Sequence, residues 1–384
     1  MPLFPAVDSV SSSLGRTNYE VLTKLNLITH LHLHLIDWQT MEDGPRQYKH
    51  LTPEQVSSFM EHGFLRIPGC FTREAAEEWT KDVWTRLGFD PNNPDTWTEE
   101  RTNMPSHHGV AIKDFAPKAY AAICEIVGGE DRITEPSKSW RDAFIVNLGT
   151  KENQGKETDP KELNGWHVDG DFFVHFLDSP EQGLLVIPLF TDILPNGGGT
   201  WVCSEGVGKI ARYLYDHPEG VLPRMTPVDS EGRTENFENG LEFYSRLVQG
   251  CADQNFHEMT GSVGDVILLH PLMVHSASKN GRRLPRIITN PPVSLVEPFN
   301  FDRTEQANGE YSLVELKTIK EVGGLEKLRG WKIQGQRDEV VPERVKRQAR
   351  MLEEEKKRLR EKERERDLGS AGNAPLQQQT VAVA

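Results

Sequence analysis

The tightest constraint on this chain is His167-Val168-Asp169, set in Gly165-Trp-His-Val-Asp-Gly-Asp-Phe-Phe173. On an extended backbone side chains alternate with period 2, so His167 and Asp169 point to one face. One further His from a distant strand would give a metal ion three ligands on one side. Two imidazoles and one carboxylate form the facial triad that leaves coordination positions open on non-heme Fe(II). Such a triad requires two segments far apart in sequence to lie side by side.

The segment His270-Pro-Leu-Met-Val-His275 offers two candidates for the third ligand. Positions 270 and 275 have opposite parity, so one regular strand cannot present both inward. Eleven residues after His275 comes Arg286, in Leu-Pro-Arg-Ile-Ile. No Arg stands at that offset from His270, since position 281 is Gly. Either His270 or His275 could therefore complete a set with His167 and Asp169, the other being a hydrogen-bonded core residue. Arg286 offers a planar two-donor fork suited to a carboxylate.

This ordered set resembles the phytanoyl-CoA dioxygenase family of Fe(II)/2-oxoglutarate oxygenases. Gly264-Asp-Val-Ile-Leu-Leu-His-Pro-Leu-Met-Val-His275 is similar to the family's Gly-Asp…His-Pro-Leu…His segment. Asn196-Gly-Gly-Gly-Thr-Trp-Val-Cys-Ser204 resembles its Asn-Gly turn, and Leu51-Thr-Pro-Glu-Gln55…Gly63-Phe-Leu-Arg-Ile-Pro-Gly69 its first helix and strand. The likeness spans residues 50–295. It implies a mainly β fold with flanking helices around a double-stranded β-helix (a cupin-like jelly roll). It also implies Fe(II), 2-oxoglutarate as co-substrate, O2, a small-molecule substrate, and ascorbate as the reductant in vitro. The reaction implied is oxidative decarboxylation of 2-oxoglutarate coupled to hydroxylation or a related C–H oxidation. Retention of Asp169 favours this over halogenation. Because the family uses the second His, with Arg eleven residues on, the resemblance implies His167, Asp169 and His275 as metal ligands and leaves His270 to the core. Arg286 would take the distal carboxylate, with Thr289, Asn147 and Ser276 as further co-substrate contacts. Position 277 is Ala where the family places Ser, and Ser276 and Ser278 flank it, which leaves the second carboxylate contact open.

Charge excludes some functions. The formal net charge is −14, yet residues 337–367 carry 12 Lys/Arg against 10 Asp/Glu, so the remaining chain holds −16. An acidic body argues against sequence-independent nucleic-acid binding, which needs basic patches. It also disfavours a polyanionic substrate and points to a small, mostly neutral organic molecule. Cys70, Cys124, Cys203 and Cys251 are widely spaced, as reduced intracellular thiols are. No apolar run approaches the roughly 18 residues of a membrane span. Without a signal-peptide pattern or a Ser-Lys-Leu ending, a cytoplasmic location is expected, with a peroxisomal one left open.

Four regions are expected. Residues 1–45 form a lead-in, where His30, His32 and His34 alternate with Leu as a polar edge-strand face or, alternatively, a metal face. Residues 46–300 form the oxygenase domain. In it Thr52-Pro-Glu-Gln55 starts a helix closed by Gly63, and Thr72 caps a second running to Leu87. Strands are expected at 140–147, 166–176, 183–190, 200–203, 263–269 and 286–288, with Pro291-Pro292 ending the series. Residues 204–260 read as a helical insertion, either a lid or an inert elaboration. Residues 301–368 form a C-terminal helical extension. Its charged part from 343 reads as a solvated helix, with a coiled coil the less favoured alternative. Residues 369–384 form a disordered tail. Lys113, His107 and His108, Trp166, Phe172, Phe173 and Trp201 are weaker pocket candidates. Two other functions remain: a Zn-dependent hydrolase on the same triad, and a non-catalytic jelly-roll scaffold working through its charged helix. The oxygenase reading expects activity to survive removal of residues 337–384.

Overall fold

A computed structural model of the protein describes residues 47–227, 241–303, 310–342 and 344–371. The histidines at 30, 32 and 34 and the tail beyond 371 lie outside the described residues. The described residues 47–49 fall in one unit, and those from His50 onward belong to the other.

Helix α1 (Pro53–His62) begins as its sequence requires. The Thr52 hydroxyl accepts from the Gln55 amide, and the Gln55 side chain accepts from the Thr52 amide. Two otherwise unpaired helix-end donors are thereby satisfied. Gly63 (φ 77°) turns the chain into β1 (Phe64–Ile67). The helix expected from Thr72 to Leu87 is two helices, α2 (Arg73–Thr80) and α3 (Val83–Leu87). After β2 (Arg101–Asn103) and β3 (Gly109–Ala111) come α4 (Ile112–Phe115) and α5 (Pro117–Val127). The single strand expected over 140–147 is also divided, into β4 (Ser139–Arg141) and β5 (Ile145–Asn147). The break falls at Asp142, whose buried carboxylate accepts from Ser106 Oγ, the amides of His107 and His108, and Arg86.

Strands β6 (Leu184–Pro188) and β7 (Thr200–Cys203) precede α6 (Ser204–Asp216), the short pair β8 (Val221–Leu222) and β9 (Thr226–Pro227), and α7 (Leu241–Gln249). The sheets resume with β10 (Phe256–Met259), β11 (Val266–Leu269), β12 (Val274–Ser276), β13 (Arg286–Ile288) and β14 (Pro292–Val293). The insertion therefore ends before 256, because β10 is a sheet strand. Pro292 does not end the series either: β14 adds to the edge of β6. The described helices close with α8 (Leu313–Val322), α9 (Leu325–Leu328) and α10 (Arg344–Ala371).

Three antiparallel sheets carry the architecture, in the orders β1-β11-β6-β14, β10-β7-β12 and β13-β5-β2. Every residue of β6 and β11 is buried, which is why both read as unbroken apolar runs rather than alternating ones. The stretch 166–176 is not a regular strand. It makes isolated bridges at His167, Phe173 and His175, with Gly170 (φ 113°) between the first two. A Cβ at Gly170 would stand 2.7 Å from the Phe173 ring and from His175 Cε1, so the metal-motif turn needs glycine.

Most of α10 is exposed, as a solvated helix is, but the C-terminal extension is anchored at a few residues. Glu355 of α10 is buried and pairs with Arg86 Nε at 2.9 Å, while Arg358 donates to the Arg86 carbonyl. Upstream, Val174 donates to the Asp338 carbonyl at 3.0 Å and Val340 to the Phe172 carbonyl at 2.8 Å; Arg337 pairs with Asp178 at 2.7 Å. Residues 337–340 thus brace the backbone directly after the His167–Asp169 motif. Removal of residues 337–384 would therefore take away contacts to that backbone. The sequence could not show it, because the docking is made by charged residues of a helix that looks polar all round.

Candidate metal centre

His167 and His275 are joined as an antiparallel bridge, each donating its amide to the other's carbonyl at 2.9 Å. Alternation then brings Asp169 to the same side. Asp169 Oδ1 lies 3.3 Å from His167 Nε2 and 3.6 Å from His275 Nε2. One ligand atom from each of the three residues falls within 4.8 Å of the others, the grouping a metal ion requires. The side chain of His275 is only 7% exposed and that of Asp169 17%, against 38% for His167, so the site opens on the His167 side.

The rings are oriented from behind. His167 Nδ1 lies 2.7 Å from the Gly165 carbonyl and His275 Nδ1 3.0 Å from the Met273 carbonyl. With Nδ1 carrying the proton, each Nε2 lone pair is free for a metal. Asn290 Nδ2 donates to Asp169 Oδ2 at 3.2 Å, which fixes the carboxylate and leaves Oδ1 to the triad. Burial opposes ionisation of Asp169, but the His275 and His167 imidazoles override it and hold the carboxyl well below the usual range. Burial likewise opposes protonation of His167, and the Asp169 hydrogen bond reverses it, raising the imidazole above its ordinary value.

His270 lies elsewhere. It is fully buried, its Nε2 lies 3.0 Å from Thr318 Oγ1, and its Nδ1 accepts from the Leu272 amide. Burial, then the Lys317 charge, push its pKa down to about 3. The structure thus places His270 in the core as a neutral residue, away from the triad.

Arg286 is 2% exposed and, among the described residues, has no carboxylate partner. Its Nε donates to the Gly198 carbonyl at 2.8 Å and its Nη1 to the Ile145 carbonyl at 3.3 Å. Burial and the nearby Arg101 push its pKa down to about 9. The free two-donor fork expected from sequence is therefore partly engaged, and Nη2 is the end left for an outside acceptor. Thr289 is buried, and its hydroxyl has no hydrogen-bond partner.

Asn147 lies opposite Arg286 across β5 and β13, but its amide is used internally. Nδ2 donates to the Ser278 carbonyl and Oδ1 accepts from the Gly149 amide. Ser276 Oγ donates to the Ala277 carbonyl. Trp166 is core, its indole donating to the Pro160 carbonyl; Lys113 is exposed; His107 joins the Arg86 cluster.

Three residues near the triad escaped the sequence reading. Asn290 was discoverable, since it shares the parity of Arg286 on an extended chain. Arg101 faces this region only through strand pairing. Tyr244, on α7 of the insertion, is 1% exposed with an unpartnered hydroxyl; burial chiefly raises its pKa, with the Val168 backbone and the Asp169 charge nearby. The insertion therefore delivers a polar group to the metal motif.

No family model matches the chain, and no curated protein does. Among solved structures it is similar to HygX from Streptomyces hygroscopicus with nickel, 2-oxoglutarate and hygromycin B bound. That match has 14% identity and a TM-score of 0.35, covering 62% of this chain and 86% of that one. It is similar to a hypothetical protein from Escherichia coli at 15% identity and a TM-score of 0.39, covering 64% and 69%. It is also similar to the non-heme alpha-ketoglutarate-dependent carbocyclase SnoK from nogalamycin biosynthesis, at 14% identity and a TM-score of 0.33, covering 65% and 85%. At these scores the likeness carries no functional weight, which falls on the site's own chemistry.

Proposed function

We propose that the protein is a non-heme Fe(II)/2-oxoglutarate-dependent dioxygenase of the phytanoyl-CoA dioxygenase type, built on a jelly-roll core and oxidising a small organic substrate. The observation that carries this reading is the pairing of a two-His, one-Asp triad with Arg286, a buried guanidinium with no carboxylate partner among the described residues. A buried charge is costly unless compensated, and a lone one invites an anionic ligand. A Zn-dependent hydrolase would use the triad but leave Arg286 without a task.

The donor set fits the metal: two imidazole nitrogens with fixed tautomers and one ionised carboxylate. His167 Nε2, His275 Nε2 and Asp169 Oδ1 would hold it, with Asn290 keeping Asp169 in register. Iron bound there supplies the redox chemistry that couples 2-oxoglutarate decarboxylation to C–H oxidation by O2. The protein's own part is orientation and electrostatics. Arg286 and the Thr289 hydroxyl would receive the distal carboxylate, a charge-assisted contact strengthened by the low local dielectric. Tyr244 and the insertion that carries it would wall the substrate side. No helix of the described residues is long and apolar enough to cross a membrane.

The test is succinate release by the purified protein supplied with Fe(II), ascorbate, O2 and 2-oxoglutarate. Slow uncoupled turnover is expected from wild type and none from His167→Ala. Absence of both succinate and 2-oxoglutarate binding to the metal-loaded protein would contradict the reading.

A further inference from the structure

Strand β5 pairs with two neighbours at the same residue: Asn147 lies opposite Arg286 of β13 on one side and opposite Arg101 of β2 on the other. Directly paired residues of antiparallel strands project to the same face, with Cβ atoms about 5 Å apart. Arg286, Asn147 and Arg101 therefore form one row, with the two arginines about 10 Å apart at Cβ. Asn147 between them is committed to Ser278 and Gly149. Arg286 is buried, whereas Arg101 is exposed on the outer strand of its sheet. Among the described residues Arg101 makes no ion pair or side-chain hydrogen bond. Its charge reaches along the row to Arg286, where it adds to burial in disfavouring the guanidinium.

Charge balance decides what this second arginine is for. A divalent metal, the Asp169 carboxylate, a dianionic 2-oxoglutarate and the Arg286 guanidinium together sum to zero. Arg101 is then a cation in excess, exposed on the outer strand while Arg286 is buried. On the 2-oxoglutarate reading, we propose that Arg101 binds an anionic group, a carboxylate, on the substrate itself. The acidic body of the chain does not argue against this, because a single exposed cation in the same strand row as Arg286 sets the local field that an incoming anion meets. The substrate class becomes a small organic acid instead of the neutral molecule that overall charge suggests.

The test uses the full-length protein loaded with Co(II) in the absence of O2, read by its visible absorption. In the first arm 2-oxoglutarate is titrated into wild type, Arg101→Gln and Arg286→Gln. Arg101→Gln should weaken it by no more than about threefold, since an exposed charge acts weakly at that distance, and Arg286→Gln by a hundredfold or so. In the second arm, at saturating 2-oxoglutarate, matched aliphatic and aromatic monocarboxylates are compared with their primary amides. Wild type should respond to the acids at concentrations about tenfold below those of the amides, as a charge-assisted hydrogen bond gives. Arg101→Gln should lose that preference, and Arg101→Lys should recover part of it. The proposal is overturned if Arg101→Gln weakens 2-oxoglutarate as much as Arg286→Gln does, which would make Arg101 part of the co-substrate clamp. It is also overturned if acids and amides act alike on wild type, or if neither acts. A wild-type protein that fails to bind 2-oxoglutarate in the first arm identifies the co-substrate reading itself as the failure.

Discussion

Two arginines in this protein are equally buried and differently equipped. Arg86 is 3% exposed and Arg286 is 2% exposed. Arg86 is surrounded by negative charge. Its Nε meets Glu355 at 2.9 Å, its Nη1 meets Asp142 at 3.1 Å, and its Nη2 donates to the Pro105 carbonyl. His107 Nε2 lies 2.9 Å from the same Glu355 carboxylate. Arg286 has two backbone carbonyls and no carboxylate. The first arrangement is closed: every strong donor is answered by the chain, and it serves to hold α10 against α3. The second is open, and on the proposed reading its partner comes from outside. Burial alone does not mark a functional residue; incomplete compensation does.

The comparison breaks most visibly at Arg86. Arg86→Met should lower stability by about 3–5 kcal/mol, because Asp142 and Glu355 are left buried without their cation. Urea unfolding reads this directly. Arg286→Met should be neutral or stabilising in the same measurement, since it removes a buried charge with no counter-charge. Comparable losses at the two positions would erase the distinction. A graded version truncates the chain. Ending at Pro342 removes Glu355 and should cost on the order of 3 kcal/mol, yet leave metal binding measurable. Ending at Gln336 also removes Arg337 and the Asp338–Val340 bridges, and metal affinity should fall further. Equal metal affinity in both truncations would show that residues 337–340 do not brace the motif.

Smaller effects sharpen the picture around the triad. Asn290→Ala releases Asp169 Oδ2 and should weaken Zn(II) or Co(II) binding by about tenfold, with stability little changed. A buried group that escapes the problem by staying neutral completes the set. Burial and then Lys317 hold His270 down at about 3. An unfolded His titrates near 6.5, so between those values the unfolded chain binds the extra proton. Stability is complete above about pH 6.5 and is lost progressively as pH falls toward 3. His270→Gln should therefore flatten the acid limb, by about 1 kcal/mol between pH 6.5 and 5.5. An unchanged acid limb would remove His270 as a contributor.

Much of the site could be read from residue order, because its logic is local. Period-2 alternation predicts that His167 and Asp169 share a face, and parity separates His275 from His270. The helix caps at Thr52 and Thr72 were equally legible, as capping chemistry depends on residues three apart. What was hidden depends on pairing between distant segments. Arg101 and Arg286 share a row only because both pair with Asn147, and no local pattern records that register. Strand breaks at Asp142 and at Gly170 were hidden for the same reason, since tertiary partners set them. The polar look of α10 concealed its docking, which runs through Glu355 and Arg358 rather than an apolar stripe.

The central claim is that Arg286 is buried without a counter-charge because a dicarboxylate supplies it. The measurement that tests this most directly is calorimetric titration of 2-oxoglutarate, beside 2-oxobutyrate, into Zn(II)-loaded wild type and Arg286→Gln. The account predicts that wild type binds 2-oxoglutarate far more tightly than 2-oxobutyrate, which lacks the distal carboxylate. It predicts that Arg286→Gln binds the two alike. Equal affinity of wild type for both acids, or a preference that survives in Arg286→Gln, would contradict it.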